Sequence, residues 1–325
     1  MVDVSDSGGL SEGEMTSPAV SVVIPTYNNP RLLAETLETV FAQAFTDYEV
    51  IVVNDGSTDD TLKKLGEYGN RIRVIDQPNG GIGVARNRGI DEARGKYVAL
   101  LDHDDLWKPG KLGAQVAYME ANPKLSACSV RYSYTTFPDR PSYDFDGSMG
   151  PGGVIRRPMR HLSVGCTFLI SSAIMFDREK ARGLRYETRR QCIEDVPFQV
   201  GLFARGEFGI AGEGILMVYR WHESNSSKEA GFYYNGIALL RELDGRGELP
   251  VAAPEERKDL LMFLGYVGRV AAASQLIAGK RGNAMGVYRR EFGHQFRLRR
   301  WRFLVMFMAA LVMPNVMVRK YFGGR

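Results

Sequence analysis

The chain has 325 residues, 44% hydrophobic and 25% charged, long enough for one large α/β domain plus an appendage. Its three cysteines, Cys128, Cys166 and Cys192, have neither metal-ligand spacing nor an even count for pairing, which excludes a disulfide framework and fits a reducing cytosol. The formal net charge of +4 belongs to the tail: no acidic residue follows Glu291, and Arg297, Arg299, Arg300, Arg302, Arg319, Lys320 and Arg325 leave the rest of the chain net negative.

Residues 1–18 are polar, acidic and rich in Ser and Gly, with no basic start or apolar stretch; they read as a disordered leader and not as a secretory signal. Residues 21–28, Ser-Val-Val-Ile-Pro-Thr-Tyr-Asn, and 50–60, Val-Ile-Val-Val-Asn-Asp-Gly-Ser-Thr-Asp-Asp, are apolar strands that break into Pro, Asn, Asp and Gly at their carboxyl ends. Helical patterns run between them. Residues 31–43 carry Leu33, Leu37, Val40 and Phe41 on one stripe, and 59–68 open with the Asp and Thr of a helix N-terminus. Residues 96–101, Lys-Tyr-Val-Ala-Leu-Leu, have the content of a strand covered on both faces. Strand, helix, strand, helix, strand is the pattern of a doubly wound α/β sheet.

Asp102, Asp104 and Asp105 emerge at the carboxyl end of that third strand, where open α/β sheets bind ligands. Like charges this close raise one another's pKa unless a hard divalent cation neutralises them, and oxygen ligation with open positions suits Mg²⁺ or Mn²⁺ carrying a phosphate. The alternative is a solvated turn capping a helix that starts near Trp107.

The order Val-Ile-Pro-Thr-Tyr-Asn, Val-Asn-Asp-Gly-Ser-Thr-Asp, Gly-Gly-Ile-Gly-Val-Ala-Arg-Asn-Arg-Gly at residues 80–89 and Leu-Asp-His-Asp-Asp resembles the family 2 glycosyltransferases of GT-A fold. The likeness continues more weakly through residues 171–176, Glu194-Asp195 and Tyr219-Arg-Trp-His222, so it covers about residues 20–230. It implies a GT-A doubly wound, mostly parallel nucleotide-binding sheet and an inverting, metal-dependent transfer from a nucleotide diphosphate sugar. By resemblance Asp104 touches the metal, Asp102 reaches ribose or a metal-bound water, and Asp105 orients the loop. His103 is either a further ligand or turned outward beside a neighbouring acid.

The same resemblance makes Pro25, Thr26, Tyr27 and Asp55 a cradle for a uridine or related nucleoside, though Asn54-Asp-Gly-Ser also reads as a tight turn and helix cap. Residues 80–85 imitate a dinucleotide fingerprint, but Arg86 occupies the third small position. Gly80 is therefore expected to allow close backbone approach to the donor, and Arg86 to steady the donor site, the Asp loop or a structural ion pair. Asp195 is implied as the base that deprotonates the acceptor, with an N-terminal capping acid as the alternative. The amphipathic-looking stretch 196–204 departs from the family's Leu and Arg pattern after this pair. Arg220 or His222 is expected near the leaving diphosphate, His222 as a metal ligand, against a surface His stacked by Trp221. The Gln-x-x-Arg-Trp motif and spanning helices of processive synthases are missing, which points to single addition.

Helices are expected over residues 233–243, 255–276 and 284–292, with Leu260, Leu261, Leu264, Val267 and Val270 on one stripe and no catalytic candidate among them. The apolar run 303–313 is short for a span and is followed by Pro314, so an interfacial or half-inserted helix held to an anionic membrane by its cations is expected. A helix buried at a homodimer contact is the alternative, and nucleic-acid binding fits least.

The resulting organisation is a leader (1–18), a GT-A domain (19–230) with a nucleotide-sugar half (19–105) and an acceptor half (106–230), a helical appendage (231–296) and a membrane-associating tail (297–325). The expected activity is sugar transfer to a glycan or lipid-linked acceptor in surface polysaccharide assembly, by a cytoplasmic protein peripheral to the inner face of the cell membrane. A homo-oligomer stays open. The competing readings are a sugar nucleotidyltransferase, which needs a basic Gly-rich loop where Pro25-Thr-Tyr-Asn stands, and a non-catalytic membrane-bound scaffold or sugar-nucleotide binding protein.

Overall fold

A computed structural model describes residues 17–135, 137–141, 153–155, 157–162, 170–189, 193–222, 230–249, 251 and 254–322. Residues 1–16 of the expected leader, most of the region 136–169, Cys166, Cys192, residues 224–227 and Arg325 lie outside the described residues.

The chain opens with β1 (Val20–Thr26), α1 (Pro30–Phe41), β2 (Tyr48–Asn54), α2 (Thr61–Gly66), β3 (Arg73–Asp76), α3 (Ile82–Glu92) and β4 (Tyr97–Leu100). Every residue of β1 and β4 is buried, as their apolar runs require of strands covered on both faces. The strands are parallel in the order β3-β2-β1-β4. The chain thus builds outward from β1 to β3 and returns across β1 to β4, leaving a switch point between the carboxyl ends of β1 and β4. Register levels β1, β2 and β3, with Thr26 facing Asn54 and Asn54 facing Asp76, while β4 stops earlier, with Leu100 facing Val23. Helix α1 is held by its expected stripe, with Leu33, Leu37 and Val40 buried and Phe41 half-buried. Asn29 caps it by accepting from the Leu32 N–H at 3.3 Å, and Pro30 sits in the first turn, where no N–H is needed.

The second half runs β5 (Leu106–Trp107), α4 (Lys111–Ala121), β6 (Leu125–Tyr134), β7 (Phe137–Pro141), β8 (Val154–Ile155), α5 (Pro158–Leu162), β9 (Met175–Asp177), α6 (Val196–Phe203) and β10 (Glu207–Tyr219). The sheet continues β4-β9-β6-β10-β5, with β9 antiparallel to both its neighbours and β10 parallel to β6. An inverted strand therefore joins two parallel blocks into the mostly parallel sheet that was expected. Two local expectations change. The helix expected near Trp107 begins at Lys111, because Trp107 is buried in β5 with its indole N–H donating to Ser172 O at 2.8 Å. Helix α6 is not amphipathic: Phe198, Gln199, Val200, Gly201 and Leu202 are all buried, so it lies inside the fold instead of along its surface.

Five helices follow: α7 (Ala230–Gly245), α8 (Pro254–Ile277), α9 (Arg281–Arg297), α10 (Trp301–Val312) and α11 (Asn315–Phe322). Among the described residues α8 is the one helix long and apolar enough to cross a membrane, but 56% of its apolar window is buried inside the fold. Its inward stripe is Leu260, Phe263, Leu264, Val267 and Ala271; Leu261 and Val270, expected there, are half-buried at its margin. Bidentate Arg241–Glu291 bonds of 3.0 and 2.6 Å tie α7 to α9. Helix α10 turns Leu304, Phe307 and Ala310 inward, with Phe307 stacked 4.7 Å from Tyr288 of α9. The opposite face leaves Val305 70% and Val312 85% exposed. At 12 residues α10 spans ~18 Å, well short of a ~30 Å hydrocarbon core.

Candidate active site

A cleft of about 760 Å³ opens at the switch point and brings together Tyr27, Arg86, Asp102, Asp104, Asp195 and His222, which the sequence scatters over nearly two hundred residues. A recess of about 70 Å³ adjoins it, lined by Pro25, Thr26, Tyr27, Asp55, Ile82, Ala85 and His103. Of the expected site residues, Gly80 and Arg220 line neither cavity.

The carboxylate turn after β4 is built from behind. Asp105 is fully buried and accepts the Arg220 backbone N–H at 3.0 Å. Burial, with Asp104 and Asp102 beside it, holds its carboxyl well above the usual range, and its bond to the Arg220 backbone orients the turn. Arg220 faces this turn and α1: its guanidinium donates to Leu32 O and Thr36 Oγ1 at 2.9 Å each, and also to Glu35 and the Asp104 carbonyl. The side chain expected near the diphosphate is thus engaged by carbonyls beneath the turn, and it lines neither cavity. Asp102 takes its orientation from Ser172, whose Oγ accepts the Asp102 N–H at 3.0 Å. His103 turns toward the recess, with Nδ1 3.4 Å from Pro25 O, and among the described residues it is paired with no acid, unlike the outward histidine of the sequence reading.

The recess is organised around Asp55, which is 4% exposed. Its carboxylate accepts Gln77 Nε2 at 2.8 Å, Gly80 N–H at 2.9 Å and Gly81 N–H at 2.8 Å. Gly80 thus brings its backbone close to the Asp55 carboxylate. Gly81 adopts φ +95° as the residue preceding α3, a conformation that favours glycine. Thr26, which lines the recess, has a buried Oγ1 with no hydrogen-bond partner among the described residues.

Arg86 crosses the cleft floor. It is 3% exposed, with Nη2 2.7 Å from Asp102 Oδ1, Nη1 2.9 Å from Glu194 Oε1 and its guanidinium carbon 5.1 Å from the Tyr186 ring centroid. Burial works against its charge, but Asp102 and Glu194 outweigh that and raise its pKa above the ordinary value. Asp195 occupies the residue before α6 without a side-chain capping bond; its Oδ2 accepts from Gln199 Nε2 at 3.2 Å. The capping alternative therefore does not hold. Burial, then the Glu194 charge, pushes the Asp195 carboxyl up to about 7, the range of a general base working near neutrality.

Among the described residues no group of three or more His, Cys, Asp or Glu is arranged to hold a metal. Asp104 Oδ2 lies 2.8 Å from His222 Nε2, and Asp102 Oδ1 is engaged by Arg86, so each carboxylate keeps a second oxygen for other ligation. Two hard oxygen donors fit Mg²⁺ or Mn²⁺ when a diphosphate completes the shell. Sequence reasoning missed Ser172, Tyr134, Phe232 and Tyr233. The last two lie on α7, in the appendage where no site residue was expected, and line the cleft wall.

The family described as glycosyl transferase family 2 matches residues 21–185. An uncharacterized glycosyltransferase of Methanocaldococcus jannaschii is 31% identical over 204 residues, covering 58% of this chain and 69% of that protein. The putative teichuronic acid biosynthesis glycosyltransferase TuaG of Bacillus subtilis is 42% identical over 106 residues, 31% of this chain and 42% of that protein. An uncharacterized glycosyltransferase of Rickettsia prowazekii is 42% identical over 100 residues, and the chain spans 31% of its length. Among solved structures, S. aureus TarS in complex with UDP-GlcNAc superposes with a TM-score of 0.56 at 19% identity, covering 86% of this chain and 91% of that one. The mannosyltransferase PcManGT of Pyrobaculum calidifontis, in complex with GDP-Man and Mn²⁺, gives 0.55 at 18% identity, covering 93% and 88%. These likenesses carry the GT-A fold.

Proposed function

The chain belongs to glycosyl transferase family 2, and from that premise we propose that it is an inverting enzyme that moves a sugar from a nucleotide diphosphate donor, a UDP-sugar or a related one, to an acceptor hydroxyl. The observation that carries this reading is the meeting, in one cleft, of the Asp102–Asp104 pair at the switch point and Asp195 across from it. Tyr27, Thr26 and Asp55 line the recess for the base and ribose. Asp102 and Asp104, with His222 beside Asp104, would hold a Mg²⁺ or Mn²⁺ ion, which when bound would neutralise the diphosphate and ease its departure.

Asp195, ionised, takes the proton of the acceptor hydroxyl as that oxygen bonds to the anomeric carbon. The bond from that carbon to the diphosphate breaks on the opposite face, so configuration inverts and a nucleoside diphosphate leaves. Arg86 fixes the separation of Asp102 and Glu194 and keeps a buried positive charge on the cleft floor. The apolar, arginine-flanked outer face of α10 supports a peripheral seat on an anionic membrane at the cytoplasmic side, and a glycan or lipid-linked acceptor in surface polysaccharide assembly agrees with that seat. The direct test is a screen of nucleotide sugars with Mn²⁺ for hydrolysis and transfer; no turnover of any donor, with the metal present, overturns the reading.

A further inference from the structure

A cavity of about 390 Å³ lies in the helical appendage, among residues that the transfer does not use. Arg241 of α7, Arg257 of α8, and His294 and Arg297 of α9 line it, and Asp244 is the one carboxylate among its described lining residues. Arg241 is held by Glu291, which lies outside the lining, and Arg257 by Asp244 through both terminal nitrogens. Each clasp uses two of a guanidinium's N–H donors and leaves the others for a further acceptor. Arg297 is exposed, and its guanidinium has no partner among the described residues. His294 is buried and donates Nε2–H to Leu261 O at 2.7 Å; burial, then the Arg241 charge, lowers its pKa, so the ring is neutral near physiological pH. Three guanidiniums thus meet the two carboxylates of Asp244 and Glu291, and the cavity keeps a net positive charge.

The cavity abuts the turn from α9 to α10, since Leu298 also lines it. On either side of that turn Phe296 and Trp301 are exposed, their rings edge-on at 4.6 Å, and Arg299, Arg300 and Arg302 are exposed beside them. Resting on the membrane seat proposed above, we infer that this cavity is a phosphate site and that it takes the headgroup of an anionic phospholipid. Guanidinium forks match phosphate oxygens in pairs, and an aromatic pair flanked by arginines suits the headgroup layer of a bilayer. Leu261 and Leu298 give the cavity an apolar side for the glycerol and the first methylenes of the chains. General attraction between a basic tail and an anionic surface leaves the protein free to turn about the membrane normal or to tilt. A lipid phosphate gripped by α7, α8 and α9 together fixes its orientation.

The test is titration calorimetry on the full chain with dihexanoyl phosphatidylglycerol below its micelle concentration, at about 0.15 M salt. EDTA is present, so that no divalent cation brings a phosphate to Asp102 and Asp104. Saturable binding is expected, roughly tenfold tighter than that of glycerol 3-phosphate because the chains bury methylenes beside Leu261 and Leu298. Arg297→Gln and Arg257→Gln should each weaken it roughly tenfold. Arg302→Gln makes the same charge change outside the cavity and should weaken it by about twofold at most. Circular dichroism checks each fold, and the exposed Arg297 carries the test if Arg257→Gln fails to fold. No saturable lipid binding, unchanged affinity in Arg297→Gln, or equal losses in Arg297→Gln and Arg302→Gln overturns the site. Glycerol 3-phosphate binding as tightly as the lipid overturns the lipid assignment in favour of a soluble phosphate. Because the lipid is monomeric here, the result stands apart from the membrane seat: binding of the monomer without flotation on phosphatidylglycerol vesicles keeps the site and counts against the seat alone.

Discussion

Arg86 Nη1 lies 2.9 Å from Glu194 Oε1, so a helix of the first parallel block grips the segment that leads into α6. The same guanidinium holds Asp102, which makes Arg86 the joint between the donor side and the side carrying Asp195. Arg86→Leu should leave two half-buried carboxylates without their counter-charge and lower stability, by at most about 3–5 kcal/mol. Arg86→Lys keeps the charge but not the fork, and should retain the fold with weaker donor binding. Urea midpoints and donor calorimetry measure the two effects; wild-type midpoints in Arg86→Leu would remove Arg86 from this joint.

Asp104 stands at the cleft rim, its side chain 18% exposed, so Asp104→Ala should abolish transfer and metal-dependent donor binding while the melting temperature stays near that of the parent. Full activity in excess EDTA would contradict the assignment of a divalent cation to Asp102 and Asp104.

Asp195→Asn should reduce turnover by ~10² or more with donor affinity nearly intact. Because the base acts when deprotonated and its carboxyl is pushed up to about 7, kcat/KM should fall as pH drops through that value, about tenfold per unit below it. The acidic limb should vanish from the residual rate of the asparagine variant. If donor binding collapses instead and bound substrate still turns over, Asp195 belongs to the donor side.

Lys111 is buried above the Trp107 ring, its amine 3.7 Å from the ring centroid and without a hydrogen-bond partner among the described residues. Burial lowers its pKa to about 7. Between about pH 10 and 7 the unfolded lysine holds a proton that the folded one does not, so stability falls as pH drops through that window. Lys111→Met should therefore be more stable than the parent, and the gap should widen from pH 10 to pH 7. A gap independent of pH, read from urea midpoints, would contradict this.

The tail is best tested without truncation. A cut near Gly293 removes His294 and Gln295, whose side chains bond Leu261 O at 2.7 Å and Gly265 O at 2.8 Å across to α8. The exposed pair Val305→Glu and Val312→Glu should spare the fold and abolish flotation on anionic vesicles, and the parent's flotation should weaken with salt. Unchanged flotation would refute the membrane seat. A dimer that dissociates in the variant would favour the buried-contact alternative.

The apolar strands and the carboxylate cluster were legible because β1, β2 and β4 are buried on both faces, so periodicity and composition carry the signal. Strand β3 was missed: it is four residues long at the sheet edge, with exposure alternating along a half-polar sequence. Strand β10 was also missed, since its register slips between Ile210 and Ile215, where Gly212 and Gly214 take φ of +70° and +73° and break the alternation. The internal partners of Arg220 and Gly80 were not legible for a different reason. Their motif positions are local, but the buried carbonyls and carboxylate that claim them come from α1 and the β2–α2 turn. Phe232 and Tyr233 gave no signal, because an aromatic pair on a helix looks the same in a core as in a cleft.

The clasp of Asp55 on Gly80 and Gly81 bears on how donor preference can be re-engineered. Those two N–H groups set the start of α3, and α3 carries Arg86 into the cleft. A substitution at Asp55 made to admit another base therefore shifts the catalytic floor as well, and its effects cannot be confined to the nucleotide. Ile82, His103 and Tyr27 border the same recess without anchoring a helix through their side chains in this way. They are the positions where selection or design can alter the nucleotide while leaving the transfer machinery in register.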